Sequence, residues 1–253
     1  MSAVTIERHG HIAVITLNRP EQRNAFNYEL QDKLANAQIE FAEDDDLWVA
    51  IFTGNGKAFS AGADLKEQSA RLANGLPPLV TVESEERVRQ HWKPTIAAIN
   101  GPAYGRDLSL TLDCDIRIAS TNATLGITEA KWNLMPMPLP RLARLIPPGV
   151  AYWMALTATA ISAEEAYNHG LVVQLTMPEE LMVKAMATAD QICENGPLAV
   201  REVKRLFYST QSASLEAAQA LCNEMYSELR KTEDAIEGPR AFVEQRKPRW
   251  KLQ

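Results

Sequence analysis

Short apolar runs that stop at glycine, asparagine or proline and then give way to helical spacing constrain this chain more than any other feature. HIAVITLN (11–18), LWVAIFTG (47–54), PTIAAING (94–101) and CDIRIAS (114–120) are rich in Val, Ile and Thr. Branched side chains suit a pleated surface, and runs this short are too brief for buried helices, so all four read as strands. Between the first two, NYELQDKLANAQIEFAEDDD sets Leu30, Leu34, Ile39 and Phe41 at helical spacing with charges elsewhere, and closes in an acidic loop. Strand, helix, strand specifies a layered α/β architecture.

From about residue 139 the texture changes. LPRLARLIPPG, VAYWMALTATA and SAEEAYNHG are apolar at three-to-four spacing and punctuated by Pro or Gly. Ser162 and Glu165 make a capping box, and Gly170 stands where the helix they open should end. PEELMVKAMATADQICENG, PLAVREVKRLFYST and the run from Ser214 complete a helical C-terminal third. The charged stretch from Gln68 to Gln90 is expected to be mobile.

The chain has 253 residues, 46% of them apolar, enough for a substantial core. Its 26 basic and 32 acidic residues leave a net charge of −6, which invites neither nucleic acid nor an anionic membrane. Cys114, Cys193 and Cys222 are too scattered for a disulfide framework or a metal site and read as buried thiols. The N-terminus lacks the basic-then-apolar order of a signal peptide and no run has membrane-spanning length, so a cytoplasmic protein is expected.

Two turns share one design. In GNGKAFSAGADLKEQ (54–68) a strand passes through Ala61-Gly62-Ala63 into a helix opened by Asp64, and in INGPAYGRDLSL (99–110) a strand passes through Gly105-Arg106-Asp107 into another helix. Small residues let a ligand approach the backbone, and two N–H donors converging on one point make an oxyanion hole. Either turn alone reads first as a tight αβ connection.

Taken together with NRPEQRNAF, KPTIAAINGPAYG, LGITEAKWNL and EDAIEGPRAFVEQRKPRW, in that order and spacing, these turns make the chain resemble the crotonase superfamily of enoyl-CoA hydratases and isomerases. The C-terminal phrase and LPRLARLIPP are similar to carnitinyl-CoA dehydratases; Ser109 and Trp132 resemble feruloyl-CoA hydratase-lyases. The resemblance implies an α/β fold with a crotonase-like ββα spiral core over residues 1–195 and a helical C-terminal trimerisation region over 196–253. It implies a homotrimer or dimer of trimers acting on an acyl-CoA, with coenzyme A as part of the substrate and no metal or redox cofactor. The reaction it implies is addition or removal of water at the α,β position. Alternatives are double-bond isomerisation, retro-aldol cleavage, or a member that binds without catalysis.

By the same resemblance the oxyanion N–H donors fall on Ala63 and Arg106, and a catalytic glutamate falls on Glu129. A second glutamate position holds Ser109, which cannot do a carboxylate's work. Coenzyme A contacts fall on Gln22, Arg23, Ala25, Ala61 and Lys66, and on Phe242 of a neighbouring subunit. A phosphate-binding lysine position holds Gln245, with Arg246 and Lys247 close by. Three departures stand out. Arg106 and Asp107 replace glycines, and Arg106 is expected to alter the shape of the hole because it cannot adopt left-handed conformations cheaply. Met137-Pro138-Leu139-Pro140 replaces a glycine-rich loop. Asp107 reads as a helix N-terminal anion paired with Arg106, a relocated acid being the alternative, and Arg106 offers a bidentate partner for a carboxylate on the acyl group.

Overall fold

The computed structural model describes residues 2–76, 92–135 and 139–253. Its main sheet has six strands in the order β1 (Val4–His9), β2 (Ile12–Leu17), β3 (Val49–Gly54), β4 (Thr95–Ile99), β6 (Ile116–Ser120) and β9 (Gln174–Thr176). A second sheet joins β5 (Ala103–Tyr104), β7 (Thr124–Gly126) and β8 (Ile161–Ser162). β1 runs antiparallel to β2, and the remaining pairs of the main sheet are parallel.

Parallel strands need cover on both faces, and the central ones have it. Every residue of β3 and β4 is buried. One face, carrying Ala13, Ile15, Leu17, Phe52, Ala97 and Ile99, packs with Leu30, Leu34 and Phe41 of the Tyr28–Glu43 helix. The other, carrying Ile12, Val14, Val49, Ile51, Ile96 and Ile118, packs under Leu181, Ala185 and Ala189 of the Leu181–Cys193 helix.

After β2, β3, β4 and β6 the chain adds a rung to a second layer and then enters a helix or 3₁₀ turn. Phe26 bridges Ala63, Ser60 bridges Ala103, and β5 pairs with β7. The helices that follow these rungs are Tyr28–Glu43, Leu65–Ala73, Arg106–Asp113 and the 3₁₀ turn Glu129–Trp132. Strand, rung, helix, repeated, is the expected ββα spiral. Helices Pro197–Ser209, Leu215–Leu229 and Asp234–Val243 make up the end of the chain.

Asn24 ties the first two turns of the spiral together. Fully buried, it donates through Nδ2 to the carbonyls of Asn55, Ala58 and Phe59 and accepts the Arg19 N–H at 2.8 Å. Its φ of +55° suits asparagine, which tolerates left-handed backbone better than most side chains.

Several expectations change. β1 is missing from the strand reading because VTIERH alternates polar residues on an edge whose burial fades towards His9. The core stripe of the first helix is Leu30, Leu34, Ala37 and Phe41, with Ile39 only half-buried. Cys114 is buried, but Cys193 and Cys222 are half-buried. Gln68–Ala73 is helical, and residues 77–90 of the stretch expected to be mobile lie outside the described residues. Leu139 and Pro140 open the Leu139–Leu145 helix and are not loop; Met137 and Pro138 lie outside the described residues. The capping box at Ser162 and Glu165 is present as expected, and Gly170 (φ +75°) follows the His169 C-cap that ends the helix.

Asn24→Ala strands buried carbonyls and forces alanine into left-handed backbone, and is expected to cost about 2–4 kcal/mol. Urea unfolding should show a lower midpoint at an unchanged slope.

Candidate active site

The two glycine turns lie side by side because their strands are neighbours. Ser60 donates its N–H to Pro102 O at 3.0 Å, and Tyr104 donates to Ser60 O at 3.1 Å. Gly62 (φ +91°) and Gly105 (φ +60°) both need conformations that side chains rarely adopt. A Cβ on Gly62 would stand 3.1 Å from Tyr104 O and 3.9 Å from Gly105 Cα, so the turns touch.

Around Gly62 the carbonyl takes the Phe26 N–H at 2.8 Å, and Asp64 N–H donates to Phe26 O at 2.8 Å. Between them the Ala63 N–H faces the other way along extended chain and meets no acceptor among the described residues. Gly105 is the N-cap of the Arg106–Asp113 helix, its own N–H taken by Gly126 O at 2.9 Å. Arg106 is the first helical residue, in the turn whose N–H groups have no intrahelical acceptor.

Arg106 therefore does not distort the turn as expected. The left-handed requirement falls on Gly105, which the chain keeps, while Arg106 and Asp107 have ordinary helical backbone. The guanidinium of Arg106 lies 4.9 Å from the Phe26 ring centre and donates to Gln31 Oε1 at 3.5 Å.

Glu129 reaches this place from the 3₁₀ turn that follows β7, the partner of β5. A Cβ on Gly105 would meet its Oε1 at 3.2 Å and its Cδ at 3.4 Å. Burial raises the Glu129 pKa above the ordinary glutamate value, opposed by hydrogen bonds from its own N–H and that of Thr128, which donates to Oε2 at 2.9 Å. A carboxyl that resists ionisation beside the Gly105 turn can hold or accept a proton there.

Asp107 stands in the first turn of its helix, as expected, with the Arg106 charge acting on it, but its side chain faces inward. It is fully buried and meets Ser60 Oγ and the Gly62 N–H, the latter at 3.1 Å. Ser109 lies with Arg106, Leu110 and Asp113 along a cavity of about 50 Å³ against Phe26, Gln31 and Leu34. Trp132, at the end of its 3₁₀ turn, is 61% exposed.

Most of the expected coenzyme A residues lie close to the Ala61–Ala63 turn. Arg23 O accepts the Ala61 N–H at 2.9 Å, and the Arg19 guanidinium donates to Ala25 O, so Gln22, Arg23 and Ala25 border the Ala61–Ala63 turn. Lys66 is exposed in the first turn of the next helix. Phe242 stands apart, 83% exposed on the Asp234–Val243 helix, which is tied to the chain end through Glu233 and Gln253. Arg246 is engaged by Glu237 and Glu244. Asn24 and Ser60 were not singled out from the sequence. Their signal lies in the NRPEQRNAF and FSAGAD phrases, but only the fold shows that they meet, Ser60 Oγ standing 2.6 Å from Asn24 O.

A family model described as enoyl-CoA hydratase/isomerase matches residues 7–253. The chain is 38% identical to an (E)-benzylidenesuccinyl-CoA hydratase of Thauera aromatica over 97% of each chain. It is 34% identical to a carnitinyl-CoA dehydratase of Salmonella typhi, again over 97% of each. A crystal structure of an enoyl-CoA hydratase from Mycobacterium tuberculosis superimposes with a TM-score of 0.92 at 36% identity, covering 100% of both chains. The spiral is the crotonase fold.

Gly105→Ala is expected to cost about 1–3 kcal/mol through left-handed strain and to push the Glu129 carboxyl from its seat. Unfolding at several pH values checks both. Because Glu129 ionises above its unfolded value, it favours the native state less as pH rises between the two values, and that pH dependence should shrink in the variant as the carboxyl moves towards solvent.

Proposed function

The chain belongs to the enoyl-CoA hydratase/isomerase family, and we propose that it adds water to, or removes it from, the α,β position of an acyl-CoA with Glu129 as the acid/base. The observation that carries this reading is the seat of the Glu129 carboxyl against Gly105, the residue that sets out the Arg106 N–H.

The thioester oxygen accepts from the Ala63 and Arg106 N–H groups, which polarise the carbonyl and stabilise the enolate. In hydration, ionised Glu129 takes a proton from water as its oxygen bonds to the β-carbon. The electron pair moves to the enolate oxygen, and the same carboxyl then returns a proton to the α-carbon. Dehydration runs in reverse, the departing hydroxyl leaving with a proton from Glu129. Ser109 supplies no second carboxylate, so one group serves both transfers. The scheme draws on neither metal nor redox cofactor, since no electrons leave the substrate and coenzyme A arrives with it.

Backbone at Gln22, Arg23, Ala25 and Ala61, with the Lys66 ammonium, receives coenzyme A in this reading. Exposed Phe242, beside Val243 on the same helix, supports its role as a cover for the nucleotide of a neighbouring copy in a homotrimer or dimer of trimers. Residues 196–253 would then be the trimerisation region. Among the described residues no helix is long and apolar enough to cross a membrane; a cytoplasmic site of action is part of the same proposal.

Incubation in D₂O with saturated, enoyl, hydroxyacyl and aryl CoA thioesters, read by mass spectrometry, tests the reading. Enoyl or hydroxyacyl substrates should gain or lose water with deuterium at the α-carbon. Glu129→Gln should lower kcat by about 10²–10⁴. An unchanged rate in that variant would sink the assignment, and no exchange across the panel would leave a binding protein. Hydration should also rise with pH through a value above the ordinary glutamate range, because the base form is needed.

A further inference from the structure

Asp107 stands where the two N–H turns meet, and its hydrogen bonds do not balance if it is ionised. Ser60 Oγ carries one proton but faces two oxygens, Asn24 O at 2.6 Å and Asp107 Oδ2. A carbonyl cannot donate, so both contacts are hydrogen bonds only when the carboxyl supplies the second proton. Asp107 Oδ1 is buried with no partner among the described residues. That is tolerable for a neutral acid's carbonyl oxygen and costly for a carboxylate.

We infer that Asp107 is a positioning residue held as the neutral acid: it donates to Ser60, Ser60 donates to Asn24 O, and this relay locks the Ser60–Ala63 turn onto the Gly105 turn, setting the spacing of the oxyanion donors. The inference rests on the oxyanion reading of Ala63 and Arg106 proposed above. Gly62 N–H, one residue before Ala63, points at both relay oxygens, 3.1 Å from Asp107 Oδ2 and 3.3 Å from Ser60 Oγ. The carboxyl thus holds the peptide next to the donor it positions.

The charges acting on Asp107 are Arg106, on its own helix, and Glu129, across Gly105. Asp64 of the adjoining turn is paired with Arg19 at 3.5 Å. Burial, the largest influence, pushes Asp107 up to about 7, Glu129 adding to it and Ser60, Arg106 and Gly62 opposing. Above that value the relay loses its proton, Ser60 faces two acceptors with one hydrogen, and the hole loosens.

The test compares full-length wild type, Asp107→Asn and Asp107→Ala, with butyryl-CoA bound as an unreactive probe. The thioester C=O stretch reports hydrogen bonding in the hole whether or not turnover occurs. In wild type the binding-induced shift should weaken as pH rises through about 7. Asp107→Asn, whose amide donates to Ser60 at every pH and leaves the Gly62 N–H to Ser60 Oγ alone, should show a shift that does not change with pH. Asp107→Ala should weaken it at every pH and lower kcat by about 10- to 100-fold, with KM changed by less than about threefold. If Asp107→Ala does not fold, Ser60→Ala interrupts the same relay and should behave alike.

Unfolding gives a second arm. A raised folded pKa means that wild type loses stability relative to Asp107→Asn between about pH 4 and about pH 7, the native state alone holding the proton there. Parallel stability profiles, or a wild-type carbonyl shift that ignores pH, overturn the inference. So does an alanine variant with an unaltered shift. Should the shifts behave as stated while no thioester is hydrated, the hydratase reading fails and the relay stands.

Discussion

The hydrogen bonds between the Ser60 rung and the Pro102–Tyr104 segment carry the rest of the site. They place two glycines with positive φ in contact, Ala63 and Arg106 being the residues that follow them. In the proposed reading neither turn suffices alone, because an oxyanion needs donors from two directions and one tight turn offers them from one. The parallel pairing of β3 with β4 beneath sets the distance between the turns, since neighbouring strands cannot separate without breaking their ladder.

Three polar groups with different tasks surround that contact. Asn24 is neutral and satisfies carbonyls that the sharp loop would otherwise leave buried and unpaired. Glu129 is half-buried, so it keeps some access to solvent and to a substrate while its ionisation is delayed. Asp107 is fully buried and bound into the scaffold through Ser60 and Gly62. In the proposed reading the two carboxyl groups divide the work, Glu129 towards substrate and Asp107 towards the backbone that receives it.

Much of the fold was legible because local rules and the global answer agree. The central strands are buried on both faces and so read as unbroken apolar runs, and the helix from Tyr28 shows its stripe directly. β1 was not legible: an edge strand exposes one side, and four of its six residues are polar. Glu129, Ala63 and Arg106 were found through phrases that resemble a family, and the fold brings Glu129 against the Gly105 turn. The roles of Asn24 and Ser60 had no such mark, since a serine or asparagine in a loop looks alike whether it faces water or closes a buried relay.

By itself the sequence determined the alternation of strand, turn and helix, the glycines that allow two left-handed turns, and a glutamate beyond a short strand. Those properties follow from side-chain shape and backbone freedom, which act over a few residues. Tertiary structure alone decided that Arg106 leaves the turn intact because the conformational demand falls on Gly105. It also decided that Asp107 points inward, where low dielectric and a single shared hydroxyl proton govern its charge. A carboxyl's protonation depends on what surrounds it, and here those surroundings come from segments far apart in the chain.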